Sequence, residues 1–250
     1  MGFLDTIFDT IFPLQCIVCG KSEADLCLKC LYESPSAERE TAKWIFSIFD
    51  YRHPPIKKAL WLLKYKGKKN LAGIFAETMY GRILEELAEL SMMENFRDSI
   101  LIPIPLSSKR YRERGFNQAE LICQKLIELQ NSLQAHFLKR LSQADEPRMS
   151  EKSADFYATV QKVAPRKSFV LEKNILIKIK ETKHQAQIKD RRERLKNLAG
   201  SLAIKNAELI KSRNIILIDD VTTTGATLNE AKKILKQSGA GKVIAFTVAH

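Results

Sequence analysis

The sequence predicts an α/β fold in which helices flank a parallel β-sheet, preceded by a small cysteine-rich module. Ile215 to Ile218 form an uninterrupted apolar run that is too short for a helix and typical of a strand buried on both faces of a parallel sheet. A second such strand is predicted at Ser99 to Pro105, and each is followed by a segment with helical periodicity. Two Cys-x2-Cys pairs come before all of these elements.

The length and the net charge of the chain indicate its domain organisation and the kind of partner it binds. A chain of 250 residues can hold one α/β domain and a small appendage, and we place the module at residues 1–40 and the domain at residues 41–250. The formal net charge of +12 favours polyanionic partners, either phosphates or nucleic acid. No run of 18 apolar residues and no basic leader occurs, so we expect a cytoplasmic protein without a membrane span.

The N-terminal module combines an amphipathic helix, predicted at residues 3–12, with the four cysteines. The helix has no Lys or Arg on its polar face, which favours docking on the protein over a membrane surface. Two Cys-x2-Cys knuckles can hold one tetrahedral zinc ion, so structural zinc is the preferred interpretation over two disulfides, a redox pair or free thiols. The predicted ligands are Cys16, Cys19, Cys27 and Cys30.

A linker at residues 33–43 leads to a predicted strand from Trp44 to Tyr51 and then to a lysine-rich stretch, after which Leu71 to Leu90 is predicted to be a long helix. Lysine runs are usually solvated surfaces. Here a glycine-containing elbow interrupts the helical pattern, which favours anion contact instead. The candidate nucleic-acid contacts are Lys64, Lys66, Lys68 and Lys69, together with Arg114 further along.

The strand that ends at Pro105 opens into a loop with two serines and four basic residues, and the next helix is predicted to run to about Leu129. Free backbone amides and cations at a strand end favour a pyrophosphate site, although a basic loop that only solubilises the surface is the alternative. The candidate pyrophosphate ligands are Leu106, Ser107, Lys109 and Arg110.

The rest of the chain is less regular. We predict a short strand at Phe137 to Leu141, a loop at 142–152 and a weak helix at 156–163. A half-exposed strand is predicted at Asn174 to Lys180, a basic helical lid at 183–196, a strand at Gly200 to Ile204 and a last strand at 242–249.

The most informative stretch follows the strand at Ile215 to Ile218. Two carboxylates, a Thr-rich turn around Gly225 and a predicted helix from Leu228 to Leu235 form a strand, an anion-binding loop and a helix N-terminus. The carboxylates suit ribose hydroxyls and a bound metal, whereas an ordinary turn would need only one capping Thr. The candidate residues are Asp219, Asp220, Val221, Thr222, Thr223, Thr224, Gly225, Ala226 and Thr227.

This stretch resembles the phosphoribosyl-pyrophosphate (PRPP) loop of type I phosphoribosyltransferases, and the chain as a whole resembles the ComF family, which is associated with natural competence and DNA uptake. Four further motifs carry the resemblance: the four cysteines, Lys64 to Gly67, the Pro-x-Pro strand end with Arg114 to Gln118, and a Thr/Arg/Asn/Gly element. The members of that element are Thr182, Gln185, Arg194, Asn197 and Gly200. The resemblance implies a type I phosphoribosyltransferase fold with a small hood, and PRPP with Mg²⁺ as ligand.

Two functions are compatible with these patterns. In the first, the protein transfers phosphoribosyl to an unknown acceptor, with Asp219 and Asp220 as the catalytic carboxylates and His184 as a candidate base. In the second, it is a non-catalytic, PRPP-regulated competence factor that binds single-stranded DNA or a helicase. The aromatic residues available for base stacking are Trp61, Tyr65, Tyr111 and Phe116, and we expect most of them to lie in the core.

Overall fold

The structure is a computed structural model that describes residues 14–22, 24–38, 42–94, 96, 99–142, 169–179 and 200–250. The predicted helices at 3–12 and 156–163, the loop at 143–152 and the lid at 183–196 lie outside the described residues. So do Thr182, His184 and most of the element around them.

Five parallel strands form the central sheet, in the order β1-β7-β6-β2-β3. The strands β4 and β5 pair antiparallel in a separate two-stranded sheet, which corresponds to the small hood that the family resemblance implies. The bounds are Ile45–Phe49 for β1, Ser99–Pro103 for β2, Val170–Leu171 for β3, Leu176–Lys178 for β4, Leu202–Ile204 for β5, Asn214–Val221 for β6 and Val243–Ala249 for β7.

The described helices pack around this sheet and within the cysteine-rich module. They are α1 (Leu28–Tyr32), α2 (Pro54–Tyr65), α3 (Asn70–Glu94), α4 (Ser108–Arg114), α5 (Gln118–Ser142) and α6 (Ala226–Gln237), with a 3₁₀ turn at Ala207–Ile210. None of the helices in the described part of the chain is long and apolar enough to cross a membrane.

Strand β6 lies at the centre of the sheet and separates two hydrophobic cores. Its side chains alternate, so that Ile216 and Ile218 belong to one core while Ile215 and Leu217 belong to the other. All four are fully buried, which explains why the stretch reads as a continuous apolar run. The same alternation continues into Asp219 and Asp220, which brings two carboxylates to the carboxyl edge of the sheet.

The cysteine-rich module shares the first of these cores. Leu26 and Leu31 are fully buried and belong to the same hydrophobic cluster as α2, α3 and β7. Beside them, the Lys68 ammonium lies 3.1 Å from the carboxylate of the buried Asp25. Residues on the two sides of the expected boundary near residue 40 therefore share one core.

Two sequence predictions need correction or extension, and one strand was not predicted. The strand predicted at Phe137 to Leu141 is wrong, since these residues lie in helix α5. Their apolar spacing of one, then three, fits a helical turn better than a strand. The basic loop after β2 contains helix α4, which ends at Gly115 in the left-handed region (φ 77°). Strand β3 is only two residues long, too short for a periodicity signal.

Candidate functional site

The carboxyl ends of β2 and β6 open into one cleft of about 530 Å³. In parallel α/β sheets ligands bind at this edge, where the loops that follow neighbouring strands converge. Helices α2 and α4 and strand β4 form the remaining walls. The lining residues are Tyr51, Trp61, Lys64, Tyr65, Ile104, Pro105, Leu106, Arg110, Arg114, Asn117, Lys178, Asp219, Asp220, Val221, Thr223 and Thr227.

Two carboxylates in different electrostatic settings stand at the end of β6. The Asp220 carboxylate is mostly buried and forms an ion pair with the Lys64 ammonium at 2.9 Å. The Asp219 carboxylate accepts a hydrogen bond from the backbone N–H of Asp220 at 2.8 Å. Burial and the neighbouring Asp220 charge raise the pKa of Asp219 to about 7, although the Asp220 N–H, Lys64 and Lys178 act in the opposite direction.

The Thr-rich loop that follows leads directly into helix α6. The backbone N–H of Thr222 donates to Ala249 at 3.0 Å and ties the loop to β7, while the carbonyl of Thr223 accepts from the His250 ring at 2.9 Å. Gly225 adopts the left-handed region (φ 69°), which admits a non-glycine residue only with strain, and it is the N-cap of α6 without any side-chain cap. The N-cap residue therefore supplies no side-chain acceptor at the start of α6, and helix N-termini are favourable positions for anions.

One hydroxyl of this loop is left without a partner. Thr224 Oγ1 is buried and makes no hydrogen bond to any described residue. A buried hydroxyl normally finds a partner, because leaving it unpaired costs about 1–3 kcal/mol. An anion held at the N-terminus of α6 would supply that partner.

The opposite wall of the cleft is cationic. Helix α4 supplies Arg110 and Arg114, and β4 supplies Lys178. Arg114 donates to Gln118 at 2.7 Å and stacks on the Tyr65 ring with 5.1 Å between its guanidinium carbon and the ring centroid. Its Nε is buried and has no partner among the described residues. The cleft therefore presents cations from α4 and β4 as well as the two carboxylates.

The loop after β2 is held by its own side chains. Ser107 is buried and serves as N-cap of α4, with its Oγ accepting the Arg110 N–H at 3.4 Å. Asn117 donates to the carbonyl of Ile104 at 2.9 Å and accepts from the Ala119 N–H at 3.0 Å. Of the four predicted pyrophosphate ligands, Leu106 and Arg110 line the cleft, and Ser107 and Lys109 do not.

The predicted nucleic-acid contacts are separated by the fold. Lys64 and Arg114 lie in the cleft, whereas Lys66, Lys68 and Lys69 lie outside it. Lys66 stands over the Trp61 ring at 5.4 Å and Lys69 over the Phe116 ring at 5.0 Å. Within the predicted phosphate loop, Val221, Thr223 and Thr227 line the cleft. The other loop residues do not: Thr222, Thr224, Gly225 and Ala226.

The exposed aromatic residues are the clearest departure from expectation. Trp61 is 47%, Tyr65 50% and Tyr111 51% exposed, so the expectation that most of these rings lie in the core is wrong. Helical spacing explains it, because Ile56, Ala59, Leu60 and Leu63 form the buried face of α2 and leave Trp61 and Tyr65 on the other side. Lys178 and Tyr51 line the cleft without having been singled out, and Asn117 of the Arg114 to Gln118 motif lines it too. The alternation of β4 was the only signal for Lys178.

The four cysteine sulfurs form a separate cluster in the module, all within 4.8 Å of one another, and they could hold a metal ion. None forms a disulfide. The Sγ atoms of Cys19 and Cys27 are 3.7 Å apart, close to the edge of about 3.8 Å expected for a tetrahedron with Zn–S bonds of about 2.3 Å. The N–H of Cys27 donates to Cys16 Sγ at 3.4 Å, as expected for a thiolate acceptor.

The protonation of these thiols agrees with a cation site. Burial opposes ionisation of Cys16, but hydrogen bonds from the Cys19 and Cys27 amides lower its pKa to about 6. The hydrogen bond with the Cys27 thiol and burial raise the pKa of Cys30 to about 12. The crowded sulfurs cannot all ionise together without a cation, and four thiolates around one divalent ion would resolve this conflict.

Comparison with known proteins gives consistent results. A family model for the phosphoribosyl transferase domain matches residues 164–250. The chain is 28% identical to Competence protein F of Haemophilus influenzae over 246 residues, covering 96% of this chain and 85% of that protein. It is 25% identical to Competence protein ComFC of Streptococcus pneumoniae over 246 residues (98% and 85%). It is 26% identical to DNA utilization protein YhgH of Salmonella typhimurium over 217 residues (87% and 74%).

Proposed function

We propose that this chain binds PRPP with Mg²⁺ in the cleft between β2 and β6 and transfers the phosphoribosyl group to an acceptor, because its residues 164–250 match the phosphoribosyl transferase domain and the chain is similar to Competence protein F and Competence protein ComFC. One observation carries the proposal. The paired carboxylates, the loop residues Thr223 and Thr227, and two arginines of α4 line one cleft at the carboxyl edge of the parallel sheet. PRPP carries two hydroxyls, a 5′-phosphate and a pyrophosphate, which match these three groups.

Each part of the cleft has a role in the proposed complex. Asp219 and Asp220 accept hydrogen bonds from the ribose hydroxyls. The amides at the start of α6 and the hydroxyls of Thr223, Thr224 and Thr227 hold the 5′-phosphate. Arg110 and Arg114 hold the pyrophosphate, because guanidinium groups bind phosphate oxygens in pairs.

The carboxylates also fit a hard divalent cation, which prefers oxygen ligands. When bound with PRPP, Mg²⁺ would neutralise part of the pyrophosphate charge. The residues act mainly by position and charge. As the bond to pyrophosphate lengthens, positive charge develops on the ribose ring, and Asp219 and Asp220 lie where that charge is stabilised. Arg110 and Arg114 stabilise the departing pyrophosphate. Lys64 has to release Asp220 for these contacts to form, and the pyrophosphate is a suitable new partner for its ammonium.

Zinc is the metal that we assign to the cysteine cluster. Four sulfur ligands without an open position are typical of a structural zinc site. Since Leu26 and Leu31 share a core with α2 and α3, the ion would hold a wall of the main domain as well as the module.

Calorimetric titration of Mg-PRPP tests the proposal. We expect the double substitution Asp219→Asn with Asp220→Asn to weaken binding by roughly 2–5 kcal/mol, since charge-assisted hydrogen bonds in a sheltered site are lost. Asp50→Asn is the matched control, because Asp50 pairs with Arg52 and does not line this cleft. Equal affinities for wild type and the double variant would contradict the proposal.

A second function, binding of single-stranded DNA, is favoured by the exposed rings beside cations. Tyr65 stacks on Arg114, and Lys66 stands at the same end of α2. Aromatic rings combined with basic side chains are typical of single-strand binding. The relatives named as competence and DNA utilization proteins support this candidate. Tyr65 and Arg114 also line the cleft, so a strand bound to them would lie at the mouth of the proposed PRPP site.

A further inference from the structure

A second, smaller cavity adjoins the cleft at the N-terminal half of α2. It measures about 340 Å³ and is lined by Tyr51, Pro54, Lys57, Lys58 and Trp61. Tyr51 and Trp61 belong to both cavities. We call these five residues the aromatic shelf. The aromatic shelf therefore adjoins the cleft in which the proposed ribose site lies, with Tyr51 and Trp61 at the border.

The composition of the aromatic shelf is specific. Tyr51, Pro54 and Trp61 provide flat apolar surface, and Lys57 and Lys58 are exposed at its rim. No acidic residue occurs among the lining residues or in the first turn of α2. Trp61 is 47% exposed, although a tryptophan is usually well buried unless it serves an interface.

Helix geometry produces this arrangement. Positions 57 and 58 precede Trp61 by four and three residues, so their side chains project from the same side of α2 as the indole. Ile56, Ala59 and Leu60 turn to the core instead. A planar ring stacked on Trp61 would thus have two cations within reach of an attached phosphate.

We infer that the aromatic shelf binds a nucleotide, with its base on Trp61 and its phosphate at Lys57 and Lys58, and that this nucleotide is the acceptor of the phosphoribosyl group. A volume of about 340 Å³ is at the lower end of the range for small-molecule sites, which suits one nucleotide and not a longer strand. Flat apolar surface with lysines at its rim is complementary to a base that carries a phosphate. This inference rests on the proposed function for its acceptor role, but the nucleotide site itself does not.

The transfer step is balanced with these components. The lone pair of a base nitrogen forms a bond to C1 of PRPP as the bond from C1 to the pyrophosphate oxygen breaks. Pyrophosphate leaves with that electron pair, and one proton passes to solvent, either from the attacking nitrogen, as in GMP and UMP, or from the amino group conjugated with it, as in AMP and CMP.

Calorimetry with AMP, adenosine and ribose 5-phosphate tests the nucleotide site on the full chain. Wild type should bind AMP at least tenfold more tightly than either adenosine or ribose 5-phosphate. Trp61→Leu should weaken AMP and adenosine at least tenfold, the scale of one lost stacking contact, and Trp61→Phe should recover part of the loss. Lys57→Gln with Lys58→Gln should remove most of the preference for AMP over adenosine.

Matched variants separate these effects from general loss of charge or surface. Tyr111→Leu removes an equally exposed ring outside the shelf, and Lys211→Gln with Lys233→Gln removes two exposed lysines elsewhere. Both should bind AMP as wild type does. The nucleotide site is overturned if AMP does not bind, whether or not an oligonucleotide binds, and it is also overturned if Mg-PRPP displaces AMP. Displacement would mean that AMP occupies the ribose-phosphate site instead.

The acceptor role has its own measurement. Pyrophosphate release from Mg-PRPP should rise with at least one of AMP, GMP, CMP and UMP, and this rise should be lost in Lys57→Gln with Lys58→Gln. No release with any of the four overturns the acceptor role. Binding of AMP without binding of Mg-PRPP would sustain the aromatic shelf and contradict the proposed function, and the reverse result would do the opposite.

Discussion

Replacing Asp219 by asparagine should stabilise the ligand-free protein, and more so at high pH. Burial of the Asp219 carboxyl and, to a smaller extent, the neighbouring Asp220 charge raise its pKa from 3.8 to about 7. The unfolded chain releases this proton near pH 4, whereas the folded chain retains it until about pH 7. Folding stability therefore falls as pH rises through this window, and the whole cost is present above pH 7.

The size of the effect follows from the two pKa values. Taken at face value, they make the ionised carboxylate cost about 4 kcal/mol at pH 8.5 and about 2 kcal/mol at pH 5.5. The side chain is not completely shielded from solvent, so we expect roughly half of this, about 2 and about 1 kcal/mol. For a chain of this length the gain in Tm for Asp219→Asn would be about 6 °C at pH 8.5 and about 3 °C at pH 5.5.

Thermal unfolding followed by circular dichroism at the two pH values measures this difference, with zinc present in every sample. Asparagine keeps an oxygen that can accept the Asp220 N–H, so the substitution removes charge and little else. Asp50→Asn is the control, because that carboxylate already has the Arg52 guanidinium as partner and its loss should not raise Tm. A lower Tm for Asp219→Asn, or a gain that is the same at both pH values, would refute the argument.

Three further predictions concern the other sites. Metal analysis should find one zinc ion per chain, and Cys27→Ser or a chelator should remove it. Loss of the ion should also lower the Tm of the main domain, because Leu26 and Leu31 share its core. Unchanged metal content in Cys27→Ser would count against the site. Lys64→Gln should weaken Mg-PRPP by about 1–3 kcal/mol in calorimetry if its ammonium moves to the pyrophosphate, whereas tighter binding would show that the ion pair with Asp220 only competes. Affinity for single-stranded DNA should fall with salt at a log-log slope of about −0.7 per phosphate, and Lys66→Gln should flatten it by about that amount while Lys211→Gln does not; no binding at physiological salt would exclude this function.

The strands and the turn between β6 and α6 could be predicted because their signals are local. An uninterrupted apolar run from Ile215 to Ile218 can only be buried on both faces, and the residues after it carry their chemistry in adjacent positions. The four cysteines are equally local, since two tight knuckles fix which sulfurs can meet. In each case, residues close in sequence are also close in space.

The lysine-rich stretch could not be resolved in this way. In the sequence, its members differ only in spacing, but helix α2 and the elbow after it give each one a different partner. Lys64 turns inward to Asp220, Lys68 to Asp25 and Lys69 to Phe116. These partners come from the module, from β6 and from the loop before α5, which are distant along the chain. The sequence predicted one basic surface. In the tertiary structure, Lys64 and Lys68 instead form ion pairs with carboxylates, and Lys69 lies over an aromatic ring.

The two carboxylates of the cleft differ in how well their charge is compensated in the ligand-free protein. Asp220 has a cation at 2.9 Å, so its charge is compensated without ligand, but Asp219 depends on a backbone amide and more distant lysines. A sequence selected for stability alone would not place an ionisable carboxylate at position 219. It would also not leave the buried Thr224 hydroxyl without a hydrogen-bond partner among the described residues. Both costs disappear if an anionic sugar ligand with its cation fills the cleft. Two energetically costly polar groups therefore lie at the end of β6 that follows its apolar run from Ile215 to Ile218, and this placement favours a binding site at this edge of the sheet.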